Sequence, residues 1–334
     1  MPALTDPLSV GGLRLPNRVV LAPLAGIGNW FVRLQARRFG AGLVVSEMVS
    51  SHAVHYRNEK TCRELLRIDP REKAAGGPVS MQLFGSDPDV MRSAAETVAA
   101  AGADLIDINM GCPVPKVCKT GAGAALLADP ARAVAVARAA AEGSGLPVTV
   151  KLRSGLRAGE RSGIELARRL CAEAGVAAIT MHPRPATVQH RGRPDYALVA
   201  ELAASVAAPV LLSGGMNSAE AVQEAFEQTG AAGVMLARGA LGNPWLFEQV
   251  LGVREGPPSA DEVLAELDWV IECAIEHLGE ERAVRYLRRF HPWYVERLEL
   301  DRAAAKSLQS ALQTAESFAA VRALLDGALR PQYA

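Results

Sequence analysis

The stretch Leu105–Leu127, LIDINMGCPVPKVCKTGAGAALL, decides how this chain is read. Leu105, Ile106 and Ile108 give the apolar run of a buried strand, and the run stops at Asn109. Gly111 and Pro113 flank Cys112, so backbone direction there is set by one residue that permits unusual φ and one that locks it. A strand that ends in a polar loop holding a thiol is how an α/β enzyme presents a reactive group; a packed structural thiol is the alternative. The glycine-rich end is not a dinucleotide fingerprint. Leu126 stands where the third glycine belongs, and no strand immediately precedes Gly121. It is read as close packing or a hinge beneath the thiol.

Outward from this stretch the same unit recurs. Val19–Ala22 ends at Pro23 and is followed by a helix over Asn29–Arg38. Leu43–Ser46, Val79–Gln82, Leu105–Asn109, Pro147–Lys151, Ala178–Met181, Pro209–Leu212 and Gly233–Leu236 are the further strands. Asp87-Pro88 and Asp129-Pro130 open helices with an N-cap and a first-turn proline, and Ser218 caps another. Residues Glu47–Gly77 form a long connection rich in His, Arg and Glu, too polar for a core and long enough to be functional. Eight strand–helix units predict an α/β fold of the (β/α)8, or TIM-barrel, type. An open doubly wound sheet is the alternative should one of the eight not be a strand. Polar residues close the strands: Gln82, Asn109, Lys151, His182, Ser213 and Arg238. Barrel active sites gather at that end, and the loops after the seventh and eighth strands commonly take a phosphate. Here those loops are Ser213-Gly214-Gly215 and Ala237-Arg238-Gly239, backbone N–H groups plus one guanidinium. The barrel is assigned to residues 1–253, Arg254–Ser259 is a Gly/Pro linker, and 260–334 reads as a small all-α domain.

Composition narrows the function. The 334 residues are 49% hydrophobic, enough for a sizeable core, and 36 basic residues balance 36 acidic ones, so a nucleic-acid partner needs a local basic patch. Five cysteines without a C-x-x-C pair support neither a zinc ribbon nor a disulfide scaffold, so no metal is expected. No signal pattern and no membrane-length apolar run is present, and a cytoplasmic monomer is expected.

Several side chains then compete for roles. An unperturbed thiol titrates near about 8.5, so Cys112 is mostly protonated at neutral pH and reads as a general acid rather than a thiolate nucleophile. Lys151, with Arg153 on the same strand face, either reaches solvent or offsets negative charge on a cofactor or substrate. His182, with Arg184 two residues on, is either a satisfied core histidine or a member of the site. Arg282, Arg285 and Arg289 share one helical stripe beside Arg288, with Trp293 and Tyr294 interleaved. That pattern is either a solvated helix face or a surface for RNA backbone and bases, which Arg63, Arg67, His52, His55 and Arg57 would extend.

On these residues the chain resembles the bacterial tRNA-dihydrouridine synthases, closest to the B-type branch. The matching segments are APLAG (Ala22–Gly26), VVSEMVSS (Val44–Ser51), QLFGSDP (from Gln82), DINMGCPVPKV (Asp107–Val117), GAGAALL (Gly121–Leu127), VKLRSG (Val150–Gly155) and RGALGNPWLF (Arg238–Phe247). The stretch Arg288–Tyr294 resembles the signature of that family's helical domain. The resemblance implies an FMN-bound barrel and an RNA-binding helical domain that together reduce uridine in tRNA. It implies that Pro23, Leu24, Ala25 and Gln82 contact the flavin ring region and that Lys151 sits at the ring's pyrimidine edge. His182 is expected beside the cofactor, and Ser213, Gly214, Gly215, Ala237 and Arg238 around its phosphate. Cys112 is implied as the donor of a proton to uracil C5, with hydride delivered to C6. Asn109, Arg153, Arg184, Arg285 and Arg288 are implied on the tRNA side, and NADPH, or NADH, as the reductant. Three places depart from the family pattern: His182-Pro183-Arg184-Pro185 for His-Gly-Arg-Thr, Ser213-Gly214-Gly215 for Asn-Gly-Asp, and Cys118 for the common Asn. Cys118 has no role in this reading. A flavin barrel reductase of small molecules and an RNA-binding protein without chemistry are the competing readings.

Overall fold

The computed structural model describes residues 2–329. It divides into two compact units, Met1–Gly239 and Ala240–Ala334. Among the described residues no helix is long and apolar enough to cross a membrane, and no cluster of three or more His, Cys, Asp or Glu could hold a metal ion.

The first unit begins with a hairpin, β1 (Leu8–Val10) and β2 (Leu13–Leu15), turned by Gly11 and Gly12 at φ 55° and 84°. Two consecutive positive φ values are what a two-residue hairpin turn demands, and glycine meets them without a Cβ clash. Then come β3 (Val19–Leu21), β4 (Leu43–Val45), a two-residue β5 (Val49–Ser50), β6 (Val79–Phe84), β7 (Leu105–Met110), β8 (Val148–Arg153), β9 (Ala178–His182), β10 (Val210–Ser213) and β11 (Gly233–Leu236). All pairings among β3 to β11 are parallel, and the sheet closes because β4 pairs with both β3 and β6. The eight strands β3, β4 and β6 to β11 therefore form the (β/α)8 barrel, with β5 added at the edge of β6. Short, continuously buried runs such as VVL and LVV suit strands covered on both faces.

The hairpin plugs the bottom of the barrel: Leu8, Val10 and Leu15 join Val20, Leu43, Leu105, Leu211 and Met235 in one buried cluster. That leaves the opposite, C-terminal rim for chemistry. The expected caps form, with Asp87, Asp129 and Ser218 each accepting backbone N–H bonds at a helix start.

The Glu47–Gly77 connection is not the polar loop that its composition suggests. It holds helices Ser51–His55 and Pro70–Ala74 and a wide turn over Thr61–Leu65. Glu72, fully buried, takes a two-pronged ion pair from Arg33 (2.8 and 2.9 Å), and Arg33 also donates to the Gly28 and Arg67 carbonyls. The guanidinium groups of Arg67 and Arg71 lie 4.8 and 4.5 Å from the Trp30 ring centroid. Both also bind Asp69, whose carboxyl is pulled down to about 2, chiefly by Arg71.

In the second unit all described elements are helical: Trp245–Val250, Ala260–Leu278, Glu280–Leu287, His291–Val295, Arg302–Thr314 and Phe318–Leu329. Ser259 and Glu262 form a capping box at the start of the long helix. A Cβ on Gly242, at φ 56°, would lie 2.6 Å from the Cβ of Trp293, so the segment ahead of the Gly/Pro linker packs into this unit. Tyr294, expected to be exposed, is only 1% exposed, and Trp293 packs edge-on against Phe290 at 5.1 Å. Burial takes Tyr294 out of any contact surface.

Candidate active site

The C-terminal rim of the barrel brings together the strand-end residues singled out from sequence, whereas His52, His55, Arg57, Arg63 and Arg67 line neither cavity there. Register explains how. β7 and β8 pair Asp107 with Thr149 and Asn109 with Lys151; β8 and β9 pair Arg153 with His182; β6 and β7 pair Gln82 with Asp107. Alternate positions on one strand share a face, so each pair points a polar side chain toward the barrel interior.

Two adjoining cavities of about 310 Å³ each open there, near the lower end of the range for small-molecule sites. The first is lined by Met48, Gln82, Asn109, Cys112 and Gln189, the second by Leu24, Arg184, Ser213, Gly214, Gly215, Ala237 and Arg238. Pro23, Ala25, Lys151, His182 and His190 line both. The Pro23–Gly26 wall is held by Gly26 N–H donating to Glu47 Oε2 (2.8 Å) and by Ile27 and Gly28 N–H bonds to the Leu24 carbonyl.

The backbone of Cys112 is clamped on both sides. Its N–H donates to Asn109 Oδ1 at 2.9 Å. Its carbonyl accepts from Ala124 N–H (2.9 Å) and from the Cys118 thiol (3.3 Å). That gives Cys118 a place: it braces the residue six positions before it. It also explains the glycine-rich end, because a Cβ on Gly123 (φ 62°) would sit 2.6 Å from the same carbonyl oxygen. Burial raises the Cys112 thiol above its ordinary pKa, opposed by a backbone hydrogen bond from Val114 and the charges of Arg153 and Lys151. The resting group is a protonated thiol.

The charge pattern is cationic. Lys151 makes no hydrogen bond or ion pair with other described residues, and burial, then repulsion from Arg153, lowers it to about 8. Arg238 is exposed beside the glycine loop and likewise makes none. Arg153 and Arg184 spend their guanidinium groups on the fold. Arg153 donates to the carbonyls of Gly111 (2.9 Å), Gln189 (2.6 Å) and Pro185 (3.3 Å); Arg184 donates twice to the Gly192 carbonyl and contacts His182 Nε2. His182 is 5% exposed, and burial, together with the cations Lys151, Arg153 and Arg184 around it, holds it neutral.

The glycine loop after β10 has room only for glycine. Gly214 and Gly215 have φ of 105° and 87°. A Cβ on Gly214 would fall 2.6 Å from His182 Cδ2, and one on Gly215 2.5 Å from the Tyr196 hydroxyl. Bare backbone at such a loop, next to Arg238, makes a concave anion cradle.

Sequence reasoning missed four contributors. His190 stacks on His182 at 5.6 Å between ring centroids and lines both cavities, on a loop where Gln189 carries a strained φ of 54°. Met48 lines the thiol cavity, a placement the VVSEMVSS match contained without resolving. Asp107 and Thr149 lie buried beneath the site, and the inward alternation along β7 and β8 was the signal for them. Arg285 and Arg288 belong to the second unit. Arg285 is exposed and pairs with Glu281 at 2.9 Å, whereas Arg288 donates to the Ala315 carbonyl at 3.2 Å.

A parallel barrel whose strand ends join a protonated thiol to a loop suited to an anion is an enzyme scaffold. Comparison with known proteins agrees. Residues 20–328 match the sequence profile of the dihydrouridine synthases. The chain is 36% identical to tRNA-dihydrouridine synthase B of Pseudomonas aeruginosa over 296 residues, 86% of each chain. It is 37% identical to a probable tRNA-dihydrouridine synthase of Rhodobacter capsulatus over 327 residues, 96% of this chain and 97% of that one. Among solved structures, the old yellow enzyme homologue of Zymomonas mobilis superposes with a TM-score of 0.59, at 18% identity over 78% of this chain and 96% of that one, a likeness of fold. The chain belongs to the dihydrouridine synthase family and is an oxidoreductase.

Proposed function

We infer that the protein reduces specific uridines of tRNA to 5,6-dihydrouridine, with FMN as cofactor and NADPH or NADH as reductant. The observation that carries this reading is the shared wall of Pro23, Ala25, Lys151, His182 and His190 between the thiol cavity and the anion cradle. A ligand with a planar ring and a phosphate fits such a pair of cavities, and the residues present suit it. Gly214 and Gly215 leave their backbone open to the phosphate, and Arg238 supplies charge. Lys151, which makes no hydrogen bond or ion pair with other described residues, supplies a cation at the ring. Pro23, Leu24 and Ala25 supply the apolar wall.

A flavin held there would supply the hydride that C6 of the uracil ring accepts. The protein supplies the proton. Burial keeps the Cys112 thiol protonated until C5 develops basicity; its Sγ–H then transfers to C5, and Lys151 and Arg153 stabilise the resulting thiolate until solvent reprotonates it. Asn109, on the lip of the same cavity, orients the base. The target uridine must leave its stack to reach the rim, a cost of a few kcal/mol that a loop nucleotide minimises. Exposed Arg285, with the basic stripe of the helical unit, holds tRNA backbone.

Cys112→Ala tests the central step. Flavin binding and its reduction by NADPH are expected to persist while dihydrouridine formation falls by two or more orders of magnitude, the usual scale of a lost general acid. Unchanged turnover would remove the thiol from the mechanism, and a purified protein that binds no flavin would overturn the reading as a whole.

A further inference from the structure

From the floor of the thiol cavity a chain of hydrogen bonds runs inward to Asp107, a buried carboxyl to which the proposed chemistry gives no part. Asp107 is 1% exposed and forms no ion pair with other described residues. Its Oδ1 accepts from the Thr149 hydroxyl and its Oδ2 from Gln82 Nε2, both at 2.6 Å. Gln82 Oε1 accepts from Asn109 Nδ2 at 2.9 Å. Asn109 Oδ1 accepts from the N–H groups of Gly111 (3.2 Å) and Cys112 (2.9 Å). The chain crosses three adjacent strands and ends on the backbone of the thiol residue.

Its polarity has a physical origin. A carboxylate only accepts, whereas a primary amide can face a partner with either its oxygen or its nitrogen. Asp107 therefore compels Gln82 to present Nε2, which leaves Oε1 for Asn109. Asn109 must then present Nδ2 to Gln82, and its Oδ1 is left facing two backbone N–H groups. Reverse Gln82 and its oxygen would face the Asp107 carboxylate and its nitrogen the Asn109 Nδ2; reverse Asn109 and its nitrogen would face the two backbone N–H groups, like against like in a buried site. Both amides are inside, Gln82 fully and Asn109 at 8% exposure, so water offers little relief.

We propose that Asp107 is a positioning residue for Cys112, holding the thiol loop in place by fixing the orientation of the Gln82 and Asn109 amides. It touches no reacting atom. Its kinetic consequence rests on the proton-donor role inferred for Cys112, but its structural role does not.

The test reads the Cys112 amide directly. Full-length protein labelled with 15N-cysteine gives five backbone resonances, and Cys112→Ala identifies the relevant one. In Asp107→Asn, which keeps the shape and removes the acceptor-only character, the Cys112 resonance should move. Its hydrogen exchange should quicken roughly tenfold, the size of one lost amide hydrogen bond. The amides of Cys62, Cys171 and Cys273 should stay where they are. In the same variant, dihydrouridine formation should slow at an unchanged KM for tRNA. An unmoved Cys112 amide overturns the proposal. So does a uniform change of all the cysteine amides with a lowered melting temperature, which would make Asp107 a general support of the core. If Asp107→Asn does not fold, Gln82→Met breaks the relay one link nearer the thiol, and the same readouts decide. A displaced Cys112 amide with undiminished dihydrouridine formation would leave the positioning role standing and sink the proton-donor role instead.

Discussion

Two groups of opposite sign, buried Asp107 on β7 and partly buried Lys151 on the neighbouring β8, are each moved toward the neutral form by desolvation. Desolvation raises Asp107 to about 6, against the hydrogen bonds from Thr149 and Gln82 and the charge of Lys151. A carboxyl with a raised folded pKa binds protons more tightly when folded than when unfolded. Its ionisation therefore costs stability as pH rises from about 4 to about 6, on the order of 3 kcal/mol in total. Lys151, lowered to about 8, behaves in the opposite sense: the unfolded chain holds that proton more tightly, so its contribution to stability grows as pH rises from about 8 toward 10.5. Chemical denaturation across pH checks both. Relative to Asp107→Asn, the wild-type protein should lose stability between about pH 4 and 6; relative to Lys151→Met, it should gain above about pH 8. Parallel curves would mean that neither group is desolvated as the barrel interior implies.

At the scale of elements, the Glu47–Gly77 connection is where reading by composition failed. Strands were legible because short runs rich in apolar residues, most of them closed by a polar one, have a local signature, and all eight barrel strands overlap such runs. The connection carries no such signal. Its order comes from Arg33 pairing with Glu72 across 39 positions, and a pairing that distant leaves no periodicity in the sequence. The thiol loop was legible as a site through Gly111, Cys112 and Pro113. The brace from Cys118 and the relay from Asp107 were not, since both depend on contacts made only after the strands align. The Gly11-Gly12 turn was legible in principle as a two-residue hairpin between LSV and LRL. The ion pair gives a prediction. Glu72→Ala leaves the Arg33 guanidinium buried and short of its carboxylate, a defect of about 3–5 kcal/mol. The denaturation midpoint should fall accordingly, whereas Arg63→Ala, which breaks only exposed or partly exposed pairs, should move it by under about 1 kcal/mol. Similar values for the two would show that the Arg33–Glu72 pair does not anchor the segment that begins with Glu47 and Met48.

For the molecule as a whole, zero net charge gives no general attraction to nucleic acid, so the tRNA affinity that the proposed function requires has to come from where cations are concentrated. The barrel rim has Lys151 and Arg238, both inside a cavity suited to a small anion. The helical unit has Arg282, Arg285 and Arg289 exposed on one stripe. Arg289 lies 5.0 Å from the Tyr286 ring centroid, which fixes its direction, and Arg285 is tied to exposed Glu281, a pair that a phosphate can replace at little cost. If this stripe carries tRNA, Arg285→Glu combined with Arg289→Glu should raise the KM for tRNA by tenfold or more and leave flavin reduction by NADPH unchanged. The salt dependence discriminates further. Each phosphate that the protein no longer neutralises should lower the slope of log affinity against log salt concentration by about 0.7–0.9, so the double variant's slope should be shallower by between about one and two units. A higher KM with an unchanged slope would point to misfolding of the helical unit rather than to phosphates left without a cation. An unchanged KM would reduce the stripe to a solvated helix face and leave tRNA binding to the rim of the barrel.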